Sequence, residues 1–344
     1  MAKQNSSEQL DRVVAALLGP PDAPASPDGA SRLFDRAWGP LIEVIRDLKS
    51  LPRPDFKARL KADLERRVAM ATAARRQFPT PPQDRPAQEG TPLREGFHSI
   101  TPYLIITGAG PWIEFAKQAF GAEERLRVRR PGTGDVIMHA EVRIGDSMIE
   151  LAEANPQFPA MPSAIWLRVP DVDATYRRAL EAGATTIHAP SDQDYGSRDG
   201  SVKDPSGNHW YIHTPKPGNT LFEGLRSVAP YLHPLRGAML IEFLKKAFGA
   251  EEVYRAQSPE GVIHHAQVRI GDSVIGLGDA HGIYQPMPST LHLYVTDADT
   301  TYEQALRAGA NSIQPPADQP YGERNAGVAD PFGNRWFIAT PIHR

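Results

Sequence analysis

The chain has 344 residues, of which 40% are hydrophobic and 23% are charged, and its formal net charge is -3. These values suit an ordinary globular protein with room for two or three domains. They exclude a strongly basic nucleic-acid-binding surface, and no apolar run approaches the roughly 20 residues that span a bilayer. The absence of Cys excludes disulfides, thiolate metal sites and a Cys nucleophile. Since the first residues also lack an apolar signal core, we expect a cytoplasmic protein whose partners include neither nucleic acid nor membrane.

The N-terminal residues 1–77 carry two amphipathic patterns that predict a helical hairpin. In two stretches apolar residues recur at three- and four-residue steps, as on one face of a helix: Phe34, Trp38, Leu41, Ile45 and Leu48, then Phe56, Leu60, Leu64 and Val68. Residues 78–97 are rich in Pro, which indicates an extended linker. Because apolar stripes need a partner surface, we expect residues 1–77 to dock on the rest of the chain or on a protein partner.

A pattern of about 120 residues then occurs twice. The clearest matches are Lys117-Gln-Ala-Phe-Gly-Ala-Glu-Glu124 with Lys245-Lys-Ala-Phe-Gly-Ala-Glu-Glu252, His139-Ala-Glu-Val-Arg-Ile-Gly-Asp-Ser147 with His265-Ala-Gln-Val-Arg-Ile-Gly-Asp-Ser273, and Asp204-Pro-Ser-Gly-Asn208 with Asp330-Pro-Phe-Gly-Asn334. The offset is 128 residues at Tyr103 and Tyr231 and 126 residues at Asp173 and Asp299. A repeat this regular indicates an internal duplication and two similar domains, which we place at 98–218 and 225–344.

Each repeat shows the order strand-helix-strand-strand-strand twice. In the first repeat we predict strands at 102–107, 124–130, 136–144 and 148–151 around a helix at 111–120, then a strand at 164–169, a helix at 172–182 and strands at 185–188, 200–203 and 209–213. Gly121 has the place of a helix C-cap, and Gly145-Asp146 indicates a tight hairpin. The second repeat follows the same order. The sequence therefore predicts an α+β fold with four β-α-β-β-β units.

Paired β-α-β-β-β units with Asp-Pro-x-Gly-Asn before the last strand resemble the vicinal oxygen chelate superfamily, which includes glyoxalase I, bleomycin-resistance proteins, extradiol dioxygenases and fosfomycin-resistance enzymes. Pro102-Tyr-Leu, Phe120-Gly-Ala, the segment 139–147 and Tyr195-Gly-Ser-Arg more narrowly resemble its bacterial PhnB-like branch. The resemblance implies that eight strands from two units form an open cup for a ligand, often beside a divalent metal. We therefore expect tandem glyoxalase-like domains, one cup in each repeat, and repeats that pack as an intramolecular pseudo-dimer.

The resemblance also implies four metal ligands: a His or Gln on the first strand, a Glu on the fourth, a His on the fifth and a Glu on the eighth. Alignment by the helices and glycines places these on Thr101, Glu150, Ala164 and Tyr211 in the first repeat and on Ala229, Gly276, Thr290 and Phe337 in the second. Only Glu150 keeps the expected ligand, and one carboxylate does not make a specific divalent site. We therefore expect no metal cofactor. The alternatives are a divalent ion near Glu150, or a non-standard histidine site drawn from His209, His213, His233, His265 and His292.

Strand alternation predicts the side chains that face the cups. These are Tyr103, Glu150, Trp166, Arg168, His209 and Tyr211 in the first repeat, and Tyr231, His233, His292, Tyr294 and Phe337 in the second. Aromatic walls with a few polar groups are typical of a small-molecule pocket, although the same side chains could fill a closed cup as core. We predict that the chain binds a small, partly aromatic or polar molecule without metal. A metal-dependent lyase, isomerase or dioxygenase, and a ligand-sensing regulatory module that docks through residues 1–77, remain the alternatives, and no catalytic residue is assigned.

Overall fold

The structure is a computed structural model that describes residues 93–222 and 224–342. The predicted helical hairpin at 1–77 and most of the predicted linker lie outside the described residues. Each repeat folds into two β-α-β-β-β units, which we name units A and B in the first repeat and units C and D in the second. Within the described residues no helix is long and apolar enough to cross a membrane.

The four units have the same element order and similar lengths. Unit A contains β1 Ile100–Ile106, α1 Ala109–Phe120, β2 Glu123–Arg129, β3 Ile137–Ile144 and β4 Ser147–Glu153. Unit B contains β5 Ala164–Arg168, α2 Val172–Glu181, β6 Thr185–Gln193, β7 Ser197–Lys203 and β8 His209–Pro215. Unit C contains β9 Val228–Leu232, α3 Gly237–Phe248, β10 Glu251–Gln257, β11 Ile263–Ile270 and β12 Ser273–Leu277. Unit D contains β13 Thr290–Tyr294, α4 Ala298–Arg307, β14 Asn311–Asp318, β15 Glu323–Ala329 and β16 Arg335–Pro341.

The helix ends are set by the residue types that the sequence places there. Gly121 closes α1 and Gly249 closes α3 in the left-handed conformation, with φ of 66° and 65°, which glycine adopts without a Cβ clash. Asp171 and Asp297 precede α2 and α4, and each side chain accepts a hydrogen bond from a backbone N–H in the first helical turn. These carboxylates satisfy donors that would otherwise lack an intrahelical partner.

The hydrophobic cores follow the repeats. The first core joins α1 and α2 to apolar side chains of units A and B, among them Leu104 and Trp210. The second core does the same with α3, α4 and units C and D, and includes Trp336 in the place of Trp210. Each repeat therefore buries its own apolar surface between its helices and the strands that they cover.

The sheets, in contrast, cross the repeats. Their strand orders are β14-β15-β16-β13-β1-β4-β3-β2 and β10-β11-β12-β9-β5-β8-β7-β6. Sheet 1 thus combines units A and D, and sheet 2 combines units C and B. The repeats pack as the predicted pseudo-dimer, but the expectation of one cup in each repeat is wrong. One edge of β1 pairs with β4, and its other edge pairs with β13 of the second repeat. In sheet 2, β9 of the second repeat pairs with the equivalent edge of β5.

The Gly-Asp-Ser hairpins join the two repeats. Asp146, in the hairpin after β3, accepts a 2.8 Å hydrogen bond from the backbone N–H of Ser227 in the second repeat. Asp272 accepts the equivalent 2.8 Å bond from Ser99 of the first repeat. A Cβ on Gly145 would lie 2.2 Å from the Ser227 hydroxyl oxygen, so this turn position requires glycine. The motif that predicts a hairpin therefore also forms a reciprocal contact between repeats.

The Asp-Pro-x-Gly-Asn motif fixes the turn before the last strand of units B and D. Asp204 is 3% exposed and accepts five hydrogen bonds: from the backbone N–H groups of Ser206 and Asn208, the side-chain amide of Asn208, and the indoles of Trp112 and Trp210. Asp330 accepts four equivalent bonds and lacks the one that corresponds to Trp112. The buried carboxylate thus ties the turn to the core.

Candidate functional site

The face of each sheet that points away from its helices forms a cup. Along β1, Leu104 and Ile106 belong to the first core, so alternation places Tyr103 on the opposite face. Tyr103 pairs in register with Glu150 of β4. We name this face cup 1 in sheet 1 and cup 2 in sheet 2.

The predicted site residues regroup because the sheets cross the repeats. Cup 1 contains Tyr103, Glu150, His292, Tyr294 and Phe337. Cup 2 contains Trp166, Tyr211, Tyr231 and His233, which line one cavity. Arg168 is exposed at the end of β5, and His209 begins β8; neither lines this cavity.

Cup 1 holds a buried network of charged groups. The guanidinium of Arg94 donates two hydrogen bonds, of 2.9 and 2.7 Å, to the carboxylate of Glu141. Nε2 of His139 lies 3.4 Å from Glu141 and 3.9 Å from Glu150, and Nδ1 lies 3.4 Å from the hydroxyl of Tyr103. Burial opposes ionisation of Glu141, but His139 and Arg94 outweigh it and lower the pKa of this carboxyl.

The network continues from the first repeat into the second through His292. Its Nδ1 lies 2.7 Å from Glu150, and its Nε2 lies 3.5 Å from Glu323. Burial alone would lower the pKa of His292, but the two carboxylates outweigh it and raise the pKa to about 10. The ring therefore carries a proton at neutral pH and acts as an internal cation between two carboxylates.

Cup 1 contains a cluster of side chains that could hold a metal ion. His139, Glu141 and Glu150 each bring one ligand atom within 4.8 Å of the others, which makes them the one candidate metal cluster in the described part of the chain. Both carboxylates of the cluster, however, already have partners, since Glu141 pairs with Arg94 and Glu150 pairs with His292. Phe337 occupies the position of the fourth superfamily ligand and packs 5.7 Å from the ring of Tyr103. Cup 1 thus keeps Glu150 and, on β13 in register with Phe337, His292 of the four superfamily ligand types, but it lacks those of the first and eighth strands.

Cup 2 contains a cavity of about 570 Å³, a size typical of small-molecule sites. Its aromatic lining consists of Trp166, Tyr195, Tyr211, Phe222, Tyr231, Tyr254 and Tyr284. The rings of Trp166 and Tyr231 lie 5.7 Å apart, and those of Tyr211 and Tyr231 lie 5.1 Å apart. Tyr284 stacks on His233, with ring centroids 5.5 Å apart.

Burial keeps three of the six histidines that line this cavity uncharged at neutral pH. Burial lowers the pKa of His213 to about 3 and the pKa of His233 and His265 to about 4. His233 and His265 are held by tyrosines: the Tyr211 hydroxyl lies 2.7 Å from Nε2 of His233, and the Tyr231 hydroxyl lies 3.1 Å from Nδ1 of His265. The cavity therefore presents neutral imidazoles among aromatic rings.

The two cups differ most where cup 1 is charged. Five charged positions of cup 1 have neutral counterparts in cup 2: Arg94 and Phe222, Glu141 and Gln267, Glu150 and Gly276, His292 and Trp166, and Glu323 and Ser197. At one position the charged residue is in cup 2 instead: Asp199 has the neutral Asn325 as its counterpart in cup 1. Duplication has thus produced one charged and one mainly aromatic cup.

Gly276, the counterpart of Glu150, leaves room for the aromatic rings that line cup 2. A Cβ on Gly276 would lie 2.6 Å from a ring carbon of Tyr231 and 3.1 Å from a ring carbon of Trp166. In cup 1 the side chain of Glu150 extends from the equivalent position. Aromatic rings therefore occupy the space that a superfamily carboxylate ligand would need in cup 2.

Several residues of both cups were not among the predicted site residues. In cup 1 these are Arg94, His139, Glu141 and Glu323. In cup 2 they include Asp199, Phe222, Tyr254 and Tyr284. His213 and His265 were named only as members of the alternative histidine site, and alternation along β3 would have found His139. Arg94 was assigned to the linker, so its role had no sequence signal.

Comparisons with known proteins agree with this architecture. The "Uncharacterized protein Mb0911c" of Mycobacterium bovis is 38% identical over 128 residues, which are 34% of this chain and 83% of that protein. The "Putative glyoxylase CFP32" of the same organism is 26% identical over 225 residues, or 61% of this chain and 82% of the relative. Glyoxalase I from Zea mays has the same fold, with a TM-score of 0.53 and 15% identity over 70% of this chain and 92% of that chain. A sequence profile also matches residues 97–212 and 237–338. By this match the chain belongs to the Glyoxalase/Bleomycin resistance protein/Dioxygenase superfamily.

Proposed function

We propose that the chain is a small-molecule-binding protein of this superfamily, that cup 2 holds a mainly aromatic ligand, and that binding needs no metal ion. The observation that carries the proposal is the cavity of about 570 Å³ lined by seven aromatic rings. Aromatic walls bind planar molecules by burying apolar surface and by offset or edge-to-face ring contacts. Within the superfamily we place the repeats in the PhnB-like branch on the motifs around Phe120 and Tyr195, and the absence of Cys favours a cytoplasmic location.

The charged cup supports the assignment of the ligand to cup 2. In cup 1 the groups that could meet a ligand already meet each other, since Arg94 holds Glu141 and His292 holds Glu150. A ligand there would have to separate two carboxylates from their partners, which is costly because Glu141 and Glu150 are buried and each would be left without its cation. We assign to cup 1 the role of joining the repeats.

Calorimetric titration of the EDTA-treated protein with 2-methoxynaphthalene tests the proposal. We expect one binding site per chain, and Trp166→Ala should weaken binding at least about tenfold, since one lost ring contact and its buried area exceed about 1.4 kcal/mol. The two repeats supply a matched pair for a second comparison. Tyr284 lines cup 2, and its counterpart Phe158 packs on Phe337 in cup 1. Tyr284→Ala should weaken binding while Phe158→Ala should not; the reverse result, or no binding by the unmodified protein, would contradict the proposal.

A metal-dependent lyase, isomerase or dioxygenase is the second candidate. The specific observation in its favour is the cluster of His139, Glu141 and Glu150, and a relative that carries the name of a glyoxylase adds to it. A divalent ion at such a site would act as a Lewis acid on substrate oxygens. The cations already paired with Glu141 and Glu150 weigh against this candidate, and metal titration separates the two.

A further inference from the structure

We infer that cup 2 selects neutral hydroxyaromatic molecules, and that the ligand hydroxyl hydrogen-bonds to the imidazole of His213. This inference rests on the proposed function, because it assumes that an aromatic ligand enters cup 2. It specifies the chemical class of the ligand and the residue that recognises the ligand hydroxyl.

The charge of the cavity lining favours a neutral ligand. No Lys or Arg is among the described residues that line the cavity, whereas Asp199 and Asp279 are. The buried imidazoles of His213, His233 and His265 carry no positive charge at neutral pH. At these three imidazoles an anionic ligand would therefore lose water without meeting a cation, which is unfavourable in a buried site.

His213 leaves both of its buried ring nitrogens unpaired in this cavity, whereas His233 leaves only Nδ1 unpaired. The His213 side chain is 1% exposed, and neither ring nitrogen has a hydrogen-bond partner among the described residues. The backbone of Tyr211 lies close enough to the imidazole to offset part of the pKa decrease that burial causes, but it does not have the geometry of a hydrogen bond. Buried polar groups are almost always paired, so an unpaired imidazole in the wall of a cavity indicates a partner that the chain itself does not provide.

The surroundings of His213 indicate what kind of molecule carries the hydrogen-bonding group. The imidazole lies 4.9 Å from the ring of Trp166 and 5.0 Å from the ring of Phe222, on which it stacks. A ligand group that reaches a ring nitrogen of His213 must therefore lie at the edge of a molecule that packs against aromatic rings. The counterpart of His213 in cup 1 is Ala339, so the histidine is particular to the aromatic cup.

Neutral imidazole has one N–H donor and one lone-pair acceptor. A hydroxyl both donates and accepts, so it can pair with whichever nitrogen faces the cavity, whereas an ether can only accept. A carboxylate accepts but brings a charge that the lining disfavours. An aromatic hydroxyl is thus the group that satisfies both the ring environment and the open hydrogen bond.

Three bicyclic probes of similar size test the inference by calorimetry at about pH 7.5. 2-Naphthol has a neutral hydroxyl, 2-methoxynaphthalene has an acceptor only, and 2-naphthoate is an anion. We expect 2-naphthol to bind about tenfold more tightly than 2-methoxynaphthalene, as one net hydrogen bond predicts, and 2-naphthoate to bind most weakly. His213→Ala, which installs the residue found at position 339, should remove the advantage of 2-naphthol over 2-methoxynaphthalene, whatever its effect on the two probes in common. An advantage that persists in this variant would overturn the inference. His213→Gln, which keeps a donor and an acceptor, should retain part of the advantage.

The outcomes separate this inference from the proposed function. Equal binding of 2-naphthol and 2-methoxynaphthalene, both insensitive to His213→Ala, would overturn the inference while aromatic binding stands. Tightest binding of 2-naphthoate would also overturn the inference. Failure of all three probes to bind would overturn the proposed function and the inference with it. The ranking of the probes on the unmodified protein is informative even if a variant does not fold.

Discussion

Nδ1 of His292 lies 2.7 Å from a carboxylate oxygen of Glu150, so a buried ion pair joins the two repeats inside cup 1. Glu150 belongs to unit A and His292 to unit D, and the side chains are 4% and 7% exposed. Removing one partner of a buried pair leaves an uncompensated charge. The pair is thus expected to contribute to the cohesion of the pseudo-dimer.

The substitution His292→Ala should lower the free energy of unfolding by about 3–5 kcal/mol at pH 7, because it leaves Glu150 buried without its cation. Urea denaturation followed by tryptophan fluorescence measures this difference. His139→Ala is the control in the same cup, and it should cost less because the His139 side chain is 25% exposed and its nearest carboxylate lies 3.4 Å away.

The cost of His292→Ala should also depend on pH. The pKa of His292 is raised to about 10 in the folded state, against about 6.5 in an unfolded chain. The stabilisation is therefore fully present below about pH 6.5, declines as the pH rises and is lost above about pH 10. The difference in unfolding free energy between the unmodified protein and the variant should shrink across this interval. A difference that stays constant or grows would contradict the protonation state assigned here.

The buried carboxylate of Asp204 should matter more than its counterpart in the second repeat. Asp204→Asn removes the charge that accepts five hydrogen bonds, and Asp330→Asn removes one that accepts four. We expect each variant to lose about 3 kcal/mol of unfolding free energy, with the Asp204 variant worse by about 1 kcal/mol, the worth of one net hydrogen bond. Chemical denaturation of the pair checks this order, and a larger loss at Asp330 would refute it.

Gly276 should not tolerate a methyl group. The Cβ of Gly276→Ala would lie 2.6 Å from the ring of Tyr231, and displacing a packed ring costs about 1–3 kcal/mol. Binding of 2-methoxynaphthalene should weaken in the same variant because the ring lines cup 2. Gly110→Ala in α1 is the control, since the nearest atom to its Cβ is 3.9 Å away. Equal stability of the two variants would show that Tyr231 has room to move.

Divalent metal should leave the stability of the protein nearly unchanged. Only an ion that binds preferentially to the folded state raises the melting temperature, and in cup 1 Arg94 and His292 already neutralise the carboxylates that an ion would need. Thermal unfolding of EDTA-treated protein with added Ni²⁺, Zn²⁺, Fe²⁺ or Mn²⁺ measures this. A saturable rise in melting temperature at micromolar metal, abolished by Glu150→Ala, would instead support the metal-dependent candidate.

Much of the fold follows from the sequence because it depends on local signals. Gly121 marks the end of α1 by its left-handed conformation, and Asp171 marks the start of α2 by accepting a backbone hydrogen bond. The Gly145-Asp146 turn predicts its hairpin. What this turn does not reveal is that Asp146 binds Ser227 of the other repeat, because a contact between residues 81 positions apart has no local signature.

The assembly of the cups was harder to predict for the same reason. Alternation places Glu150 and Trp166 on the correct face of their strands, but it does not say which strand edges meet. Since β1 pairs with β13, Glu150 meets His292 of the second repeat as well as His139 of its own. The prediction about metal ligands compared residues within one repeat, whereas cup 1 combines units A and D. The raised pKa of His292 likewise follows only once its neighbours Glu150 and Glu323 are known.

The indole N–H resonances of the tryptophans test the central claim, that cup 2 binds an aromatic molecule without metal, most directly. Trp166 lines the cavity, whereas Trp112 and Trp210 donate their indoles to Asp204 in the core, and Trp336 donates to Asp330. In a ¹H–¹⁵N spectrum of EDTA-treated protein titrated with 2-methoxynaphthalene, the Trp166 resonance, assigned with Trp166→Phe, should shift and saturate at one ligand per chain. The three core indoles should stay in place. A Trp166 resonance that does not move, or that moves only after divalent metal is added, would contradict the account.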